Sequence, residues 1–313
     1  MNIRIISPSG AIDPQYIDAA KQRLQSWGHI VTEGHYARGS WGRFAATDEQ
    51  RISDLNEAFA DPQVEAILCA RGGYGLQRIL DRIHPTKKLV IGFSDITALH
   101  QLMHRIGVPS LHAIMCKHIA TLPEDSLALQ SFRKTLKEFK VESLKFTPHP
   151  LDRPGTCRGT LIGGNLSVLY GLQGTPYSLS ATTGCGLSAQ RSYSATVFQP
   201  EGRSILFIED ISERHYHIDR MMQNLRMSGV LANLSGLIVG QFTDCEEDKG
   251  MNEQYAFTDT NPIYATILRA VEDYDYPVLF DFPAGHVQDN RPLWLGRTVE
   301  LEVTPNISRV TYI

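Results

Sequence analysis

Cysteine is sparse in this chain of 313 residues, and the five present, Cys69, Cys116, Cys157, Cys185 and Cys245, are scattered without any C-x-x-C spacing. An odd, dispersed set does not suit a disulfide frame or a zinc knuckle; it fits a reducing compartment, so a cytoplasmic setting without a bound metal is expected. Long apolar runs are missing too, and none approaches the roughly 20 residues that span a bilayer. The first residues, Met1-Asn2-Ile3-Arg4-Ile5-Ile6-Ser7, pass straight into a strand pattern, so no secretory leader is expected. Neither sign of charge dominates: 30 Lys and Arg stand against 34 Asp and Glu, a net −4. That balance provides no basic stripe for nucleic acid or an anionic membrane. Internal repeats are also lacking.

What is present is alternation. Over the first ~120 residues strand and helix patterns take turns, the signature of a parallel α/β layer. Strands are expected at Ile3–Ser7, His29–Thr32, Val64–Cys69, Leu89–Phe93 and Val108–Leu111, giving a doubly wound sheet of five. Helices are expected at Asp13–Trp27, closed by Gly28, from the capping box Thr47-Asp48-Glu49-Gln50 through Phe59, and at Tyr74–Ile83. Residues 139–156, with Pro148, Pro150 and Pro154 and no helical period, read as a linker. They separate an N-terminal domain (1–138) from a smaller, β-rich α/β C-terminal domain (157–313). In the latter, strands are expected at Gly155–Ile162, Ser204–Ile208, Leu234–Gln241, Pro277–Phe280 and Thr298–Val303, and helices at Asn165–Gly171, His217–Arg226 and Pro262–Val271. Residues 181–202, rich in Ser, Thr, Gly and Gln, read as an exposed loop.

The chemistry-bearing positions lie at strand ends. The apolar run Leu89-Val90-Ile91 ends at Gly92-Phe93-Ser94, and a helical pattern (Ile96, Leu99, Leu102, Met103, Ile106) follows at once. This is the layout of a nucleophile elbow, which holds a hydroxyl above the sheet edge with the N–H of Asp95 where an oxyanion would form. Ser94 is equally suited to be the N-cap of that helix, and the window lacks the second glycine of G-x-S-x-G. Arg71-Gly72-Gly73-Tyr74-Gly75 follows another strand; its glycines allow close backbone approach and leave N–H groups at the strand ends, at Gly72 or Gly73. It is a poor dinucleotide fingerprint, and no cofactor is expected. Glu209 ends an apolar strand in a pair of carboxylates with Asp210, and His286 lies just beyond another strand. The order Ser…Glu…His is that of the elbow hydrolases, in which an imidazole takes the hydroxyl proton and a carboxylate fixes its tautomer. Arg71 is a candidate for gripping a substrate carboxylate, with a structural ion pair as its alternative. His112 is a candidate cleft residue or a buried, satisfied histidine.

Taken together, Arg71-Gly-Gly-Tyr-Gly, Gly92-Phe-Ser-Asp-Ile-Thr, Gly163-Gly-Asn-Leu-Ser, Phe207-Ile-Glu-Asp-Ile with Asp219-Arg220-Met221, and Gly285-His286 resemble, in this order, the LD-carboxypeptidase family, which includes murein tetrapeptide carboxypeptidases and microcin C self-immunity peptidases. The resemblance runs nearly end to end. It implies a class I glutamine amidotransferase-like N-terminal layer and a C-terminal domain contributing Glu and His. Ser94 becomes the nucleophile, Glu209 the carboxylate and His286 the base. It further implies a small peptide substrate, cleaved between L-lysine or meso-diaminopimelate and a terminal D-alanine, in a homodimeric enzyme of wall recycling. Hydrolysis of peptidyl- or aminoacyl-nucleotides, with Arg191 and Tyr193 on the long loop, is the alternative, and a non-catalytic peptide binder a third. A glutamine amidotransferase is disfavoured because the elbow carries Ser and not Cys. Two departures stand out: the 181–202 loop is longer than the family's, and His215 replaces an expected proline. His215 and His217 suit a solvated helix start better than a metal site.

Overall fold

A computed structural model describes residues 1–139, 143–179, 202–245 and 261–313. The chain forms two compact units: one is built from residues 1–139 with Gln288–Leu295, the other from the remaining described residues. The long loop expected over 181–202, with Cys185, Arg191 and Tyr193, lies outside the described residues save for Gly202.

In the first unit the elements alternate as β1 (Asn2–Ile6), α1 (Pro14–Ser26), β2 (Ile30–Glu33), α2 (Asp48–Ala60), β3 (Ala66–Cys69), β4 (Leu89–Gly92), α3 (Thr97–Arg105) and β5 (Ser110–His112), followed by α4 (Cys116–Thr121) and α5 (Leu127–Glu138). All five strands are parallel, in the order β5-β4-β3-β1-β2, so the winding reverses between β1 and β3. Ligand crevices of doubly wound sheets open at such a reversal, at the strands' carboxyl ends. β3 is buried at every position, as expected of a strand covered on both faces. α1 buries Ile17, Ala20 and Leu24, and α2 buries Leu55, Ala58 and Phe59, each along one stripe of a 3.6-residue period. The sheet has a sixth strand that the pattern did not reveal: Leu293–Leu295 returns late in the chain and pairs antiparallel with β5. Three residues are too few to carry an alternation signal.

A second correction concerns Tyr74–Ile83. The helix expected there is replaced by two 3₁₀ turns, Leu76–Arg78 and Leu80–Arg82. Leu76, Ile79, Leu80 and Ile83 are buried, so the apolar spacing is genuine. The backbone at Gly75, however, takes φ +130°, outside any helix, and the Leu76 N–H that follows donates to the Asp95 carboxylate (3.0 Å).

The second unit holds β6 (Leu144–Phe146), β7 (Gly155–Asn165), α6 (Leu166–Gly171), β8 (Ser204–Ile211), α7 (His215–Met227), β9 (Leu234–Thr243), α8 (Pro262–Ala270) and β10 (Val278–Leu279). After the strand Leu293–Leu295 (β11), which belongs to the first unit, come β12 (Thr298–Val303) and β13 (Ser308–Tyr312). Its seven-stranded sheet runs β10-β9-β8-β7-β12-β13-β6, parallel from β10 to β7 and antiparallel beyond. The stretch read as a linker thus carries a strand, β6, which finds its partner in β13 although three residues give it no pattern of its own. The apolar faces of α6, α7 and α8 (Leu166, Leu169, Met222, Leu225, Ile263, Ile267) share one core with Leu206, Ile208 and Val239 of the sheet.

The capping box is formed: Thr47 Oγ1 accepts from the Gln50 N–H, and the Gln50 side chain accepts from the Thr47 N–H. Replacing Thr47 with Ala is expected to cost about 1 kcal/mol, read as a lower denaturant midpoint without loss of helix signal at rest.

Candidate active site

The first unit gathers three loops at one sheet edge, since the strands end side by side: Ile6 pairs with Cys69, and Leu68 with Ile91. The loop after β1 carries Ser9 and Gly10, that after β3 the glycine turn, and that after β4 the elbow. Ser94 adopts φ +66°, in the left-handed region, where a side-chain-bearing residue is strained by about 1–2 kcal/mol. That conformation settles one alternative: an N-cap has extended backbone, and the N-cap positions of the following 3₁₀ turn and of α3 fall at Phe93 and Ile96. A 3₁₀ turn, Ser94–Ile96, intervenes before α3 begins at Thr97. From Ile91 to His100 every residue except Ser94 is buried.

The surroundings hold this turn on every side. Asp95 is buried, and its carboxylate accepts from Ser9 Oγ (2.6 Å) and from the Leu76 N–H, so one side chain ties all three loops together. Burial raises the Asp95 pKa, opposed by these two donors. The Gly92 carbonyl accepts from the Ala113 N–H (3.2 Å) and from His100 Nε2 (2.9 Å). A carbonyl only accepts, so His100 carries its proton on Nε2, and Nδ1 accepts from Ser110 Oγ (2.8 Å). Burial keeps that ring neutral, its pKa pushed down to about 4. Gly72 lies flat against the serine: a Cβ at this position would stand 2.7 Å from Ser94 Cβ and 3.0 Å from Oγ. Its carbonyl accepts from the Gly10 N–H (3.0 Å), and Gly73 takes φ +111°.

Arg71, at the start of that turn, is exposed and donates to the Ala11 carbonyl (2.5 Å); among the described residues no ion pair engages it. His112 is fully buried in β5, with the rings of Phe93 and His100 5.7 and 6.3 Å away. It therefore underpins the elbow strand and offers a substrate no surface.

The second unit brings Glu209 and His286 together. Glu209 and Asp210 end the central strand β8, both fully buried, and Glu209 pairs in register with Asn165 of β7. Glu209 Oε2 lies 2.8 Å from His286 Nδ1. An ionised carboxylate only accepts, so the imidazole proton sits on Nδ1 and Nε2 is left as the basic nitrogen. Burial alone would lower the His286 pKa; the hydrogen bond and charge of Glu209, with a further contribution from Asp210, outweigh it and raise the pKa. Glu209 Oε1 has no hydrogen-bond partner among the described residues, a costly state for a buried carboxylate oxygen. Gly285, at φ +130°, lets the chain pass close: a Cβ there would stand 3.0 Å from Glu209 Oε2. The loop bearing His286 is stitched to β9 by Phe282 N–H to Val239 O (3.1 Å) and Gln241 N–H to Ala284 O (3.0 Å).

Asp210 is one of several residues whose part the sequence reading missed. It accepts from Asn165 Nδ2 (2.8 Å), the Ser167 N–H (2.8 Å) and the Ile211 N–H (2.9 Å), fastening the start of α6 to the end of β8. Burial first, and the Glu209 charge second, push its pKa up to about 7. The side chains of Asp95, Ser9 and His100 were missed as well; only the Asp95 N–H was considered. A buried carboxylate beside the serine was the available signal. His215 opens α7, its Nε2 2.6 Å from Thr266 Oγ1, and His217 Nδ1 lies 2.9 Å from Glu213.

Comparison with known proteins shows the family. The model of the LD-carboxypeptidase N-terminal domain matches residues 3–113, and that of the LD-carboxypeptidase C-terminal domain matches residues 158–301. A probable murein peptide carboxypeptidase of Bacillus subtilis is 34% identical over 253 residues, which is 78% of this chain and 72% of that protein. The crystal structure of a muramoyltetrapeptide carboxypeptidase from Oxalobacter formigenes is similar with a TM-score of 0.81 and 26% identity, over 100% of this chain and 98% of its own. The microcin C7 self-immunity protein MccF in complex with aspartyl sulfamoyl adenosine gives a TM-score of 0.77 at 21% identity, over 99% and 95% of the two chains. At that identity the likeness concerns the fold alone.

Gly72→Ala is expected to leave the circular dichroism spectrum intact and to lower hydrolytic turnover by about 100-fold, because the added methyl displaces the serine hydroxyl.

Proposed function

The chain belongs to the LD-carboxypeptidase family, and from that premise we propose that Ser94, His286 and Glu209 act as nucleophile, general base and orienting carboxylate. The enzyme is a serine-type LD-carboxypeptidase of peptidoglycan recycling. On this reading its substrate is a murein tetrapeptide, and the bond hydrolysed joins L-lysine or meso-diaminopimelate to the terminal D-alanine. The observation that carries the proposal is the Glu209–His286 bond, which presents a basic Nε2. A serine hydroxyl at neutral pH needs such a base, and an inert peptide binder has no use for one.

Ser94 Oγ attacks the scissile carbonyl carbon as its proton passes to His286 Nε2. The C–O double bond opens to an oxyanion, which accepts from the N–H of Asp95 and from that of Gly72 or Gly73. In comparable sites, removing one such donor costs roughly 3 kcal/mol of barrier. The tetrahedral intermediate collapses, the C–N bond breaks, and His286 protonates the departing D-alanine nitrogen. Water then attacks the ester by the same route, its proton going to His286 and on to Ser94 Oγ. An exopeptidase also recognises a free carboxylate; Arg71, whose guanidinium no carboxylate engages among the described residues, is assigned to it.

Two trends with pH follow from the raised His286 pKa. Catalysis needs the neutral ring, so activity rises as pH climbs through the raised value. The folded state, by contrast, binds the imidazole proton more tightly than the unfolded one. The stabilisation from the Glu209 pair is therefore complete below the unfolded pKa and fades over the same climb. Activity and the pair's contribution to stability move in opposite directions.

The purified protein is expected to release D-alanine from the tetrapeptide, with the acidic limb of kcat/KM above pH 6.5, the ordinary imidazole value. Ser94→Ala should abolish release. Glu209→Gln should shift the limb to lower pH and reduce kcat by about 10²- to 10⁴-fold. Undiminished release by Ser94→Ala would refute the assignment.

A further inference from the structure

The first unit buries a full positive charge that the mechanism does not use. Arg51, on α2, is fully buried, and its guanidinium reaches two of the loops that gather at Ser94. Nη1 donates to the Pro8 carbonyl (2.5 Å), on the loop after β1, and to the Gly75 carbonyl (3.2 Å), at the end of the glycine turn. Nη2 donates to Asp48 (2.6 Å), which ties the head group back to its own helix. The Phe44 ring covers the guanidinium at 4.9 Å. Position 75 has no room for a side chain: a Cβ there would stand 2.8 Å from the Phe44 ring and 3.0 Å from Nη1. Burying a guanidinium is costly, and these three acceptors offset the cost.

The Gly75 carbonyl and the Leu76 N–H belong to one amide. Arg51 holds its oxygen and Asp95 its N–H (3.0 Å), and a trans amide points these two groups in opposite directions. The same two side chains share the loop after β1, where Arg51 takes the Pro8 carbonyl and Asp95 the Ser9 hydroxyl. A cation and an anion thus clamp one pair of segments. Burial pushes the Asp95 carboxyl up, and the Arg51 charge opposes that push, after the bonds from Ser9 and Leu76. Next to the clamped points, the Gly10 N–H holds the Gly72 carbonyl (3.0 Å), and Gly72 lies against Ser94.

We infer that Arg51 is a positioning residue: by bonding both carbonyls it fixes the glycine turn against Ser94, and with it the N–H groups assigned to the oxyanion. The inference rests on the reading of Ser94 and the glycine turn given above. With its side chain out of solvent, Arg51 acts through the backbone that it holds. An oxyanion donor counts only in the transition state. Slackening the turn therefore lowers kcat and leaves KM nearly unchanged. A mere tether between α2 and the loops would show in thermal stability alone.

The test measures D-alanine release by Arg51→Gln and Arg51→Lys at a temperature where circular dichroism shows each folded. Arg51→Gln keeps an N–H donor but loses the charge and the fork, and its kcat should fall by about 30- to 100-fold, with KM within about threefold. Arg51→Lys keeps the charge and three donors, so its loss in kcat should stay at about 3- to 10-fold. In parallel, labelling of Ser94 by a fluorophosphonate reads the serine without any peptide. Fluoride leaves phosphorus as Ser94 Oγ bonds to it, the hydroxyl proton passing to His286. The labelling rate should fall along with kcat in both variants. Unchanged kcat and labelling in Arg51→Gln, or a loss carried by KM alone, overturns the inference. If Arg51→Gln does not fold, Arg51→Lys decides, and wild-type kcat in it overturns the inference. If wild type is labelled but releases no D-alanine, the substrate reading fails and the labelling rates judge Arg51. If wild type is neither labelled nor active, the inference falls with the site.

Discussion

A single buried carboxylate holds together the loops around Ser94. Asp95 accepts from Ser9 on the loop after β1 and from Leu76 at the end of the glycine turn, while its own backbone continues the turn that bears Ser94. Three loops from three neighbouring strands thereby become one body. A serine in the left-handed region relaxes unless its neighbours over-determine it. Asp95 does so from one side, the doubly bonded Gly92 carbonyl from the other, and the bare Cα of Gly72 closes the third. The strain is modest beside the number of interactions opposing it, which is how a marginal backbone conformation persists in a stable domain.

The surroundings of His286 follow the same logic with different chemistry. Burying Glu209 and Asp210 side by side at the end of a central strand is unfavourable, and the two are treated differently. Asp210 receives three donors and serves to anchor α6, with a pKa near 7. Glu209 receives the imidazole, and its other oxygen has no hydrogen-bond partner among the described residues. The local negative potential of the pair holds the proton on His286, so the ring is a stronger base than a free imidazole.

Polar side chains that never meet substrate thus carry much of the design. His100 is the clearest case: a neutral ring, locked in one tautomer by a carbonyl and a hydroxyl, holds the strand end from which the serine projects. His112, adjacent in the fold, packs its ring against Phe93. Both lie in the core beside the strand that ends at Ser94.

The alternation of strand and helix, the capping box at Thr47, the elbow at Ser94 and the strand endings at Glu209 and His286 could all be read from the chain, because each depends on local spacing and residue type. The family motifs added order and identity to those pieces. The tertiary structure alone decided what depends on distant partners. Strands of three residues, β6 and β11, exist only because a sheet edge awaits them. The segment after Gly75 forms 3₁₀ turns, with Gly75 at φ +130° cutting it off from Tyr74. Ser94 ceased to be a plausible cap once its backbone took a positive φ, and His112 was assigned to the core by neighbours far off in the sequence. Periodicity records which face of an element is apolar; it carries no information about which distant group will accept a given proton.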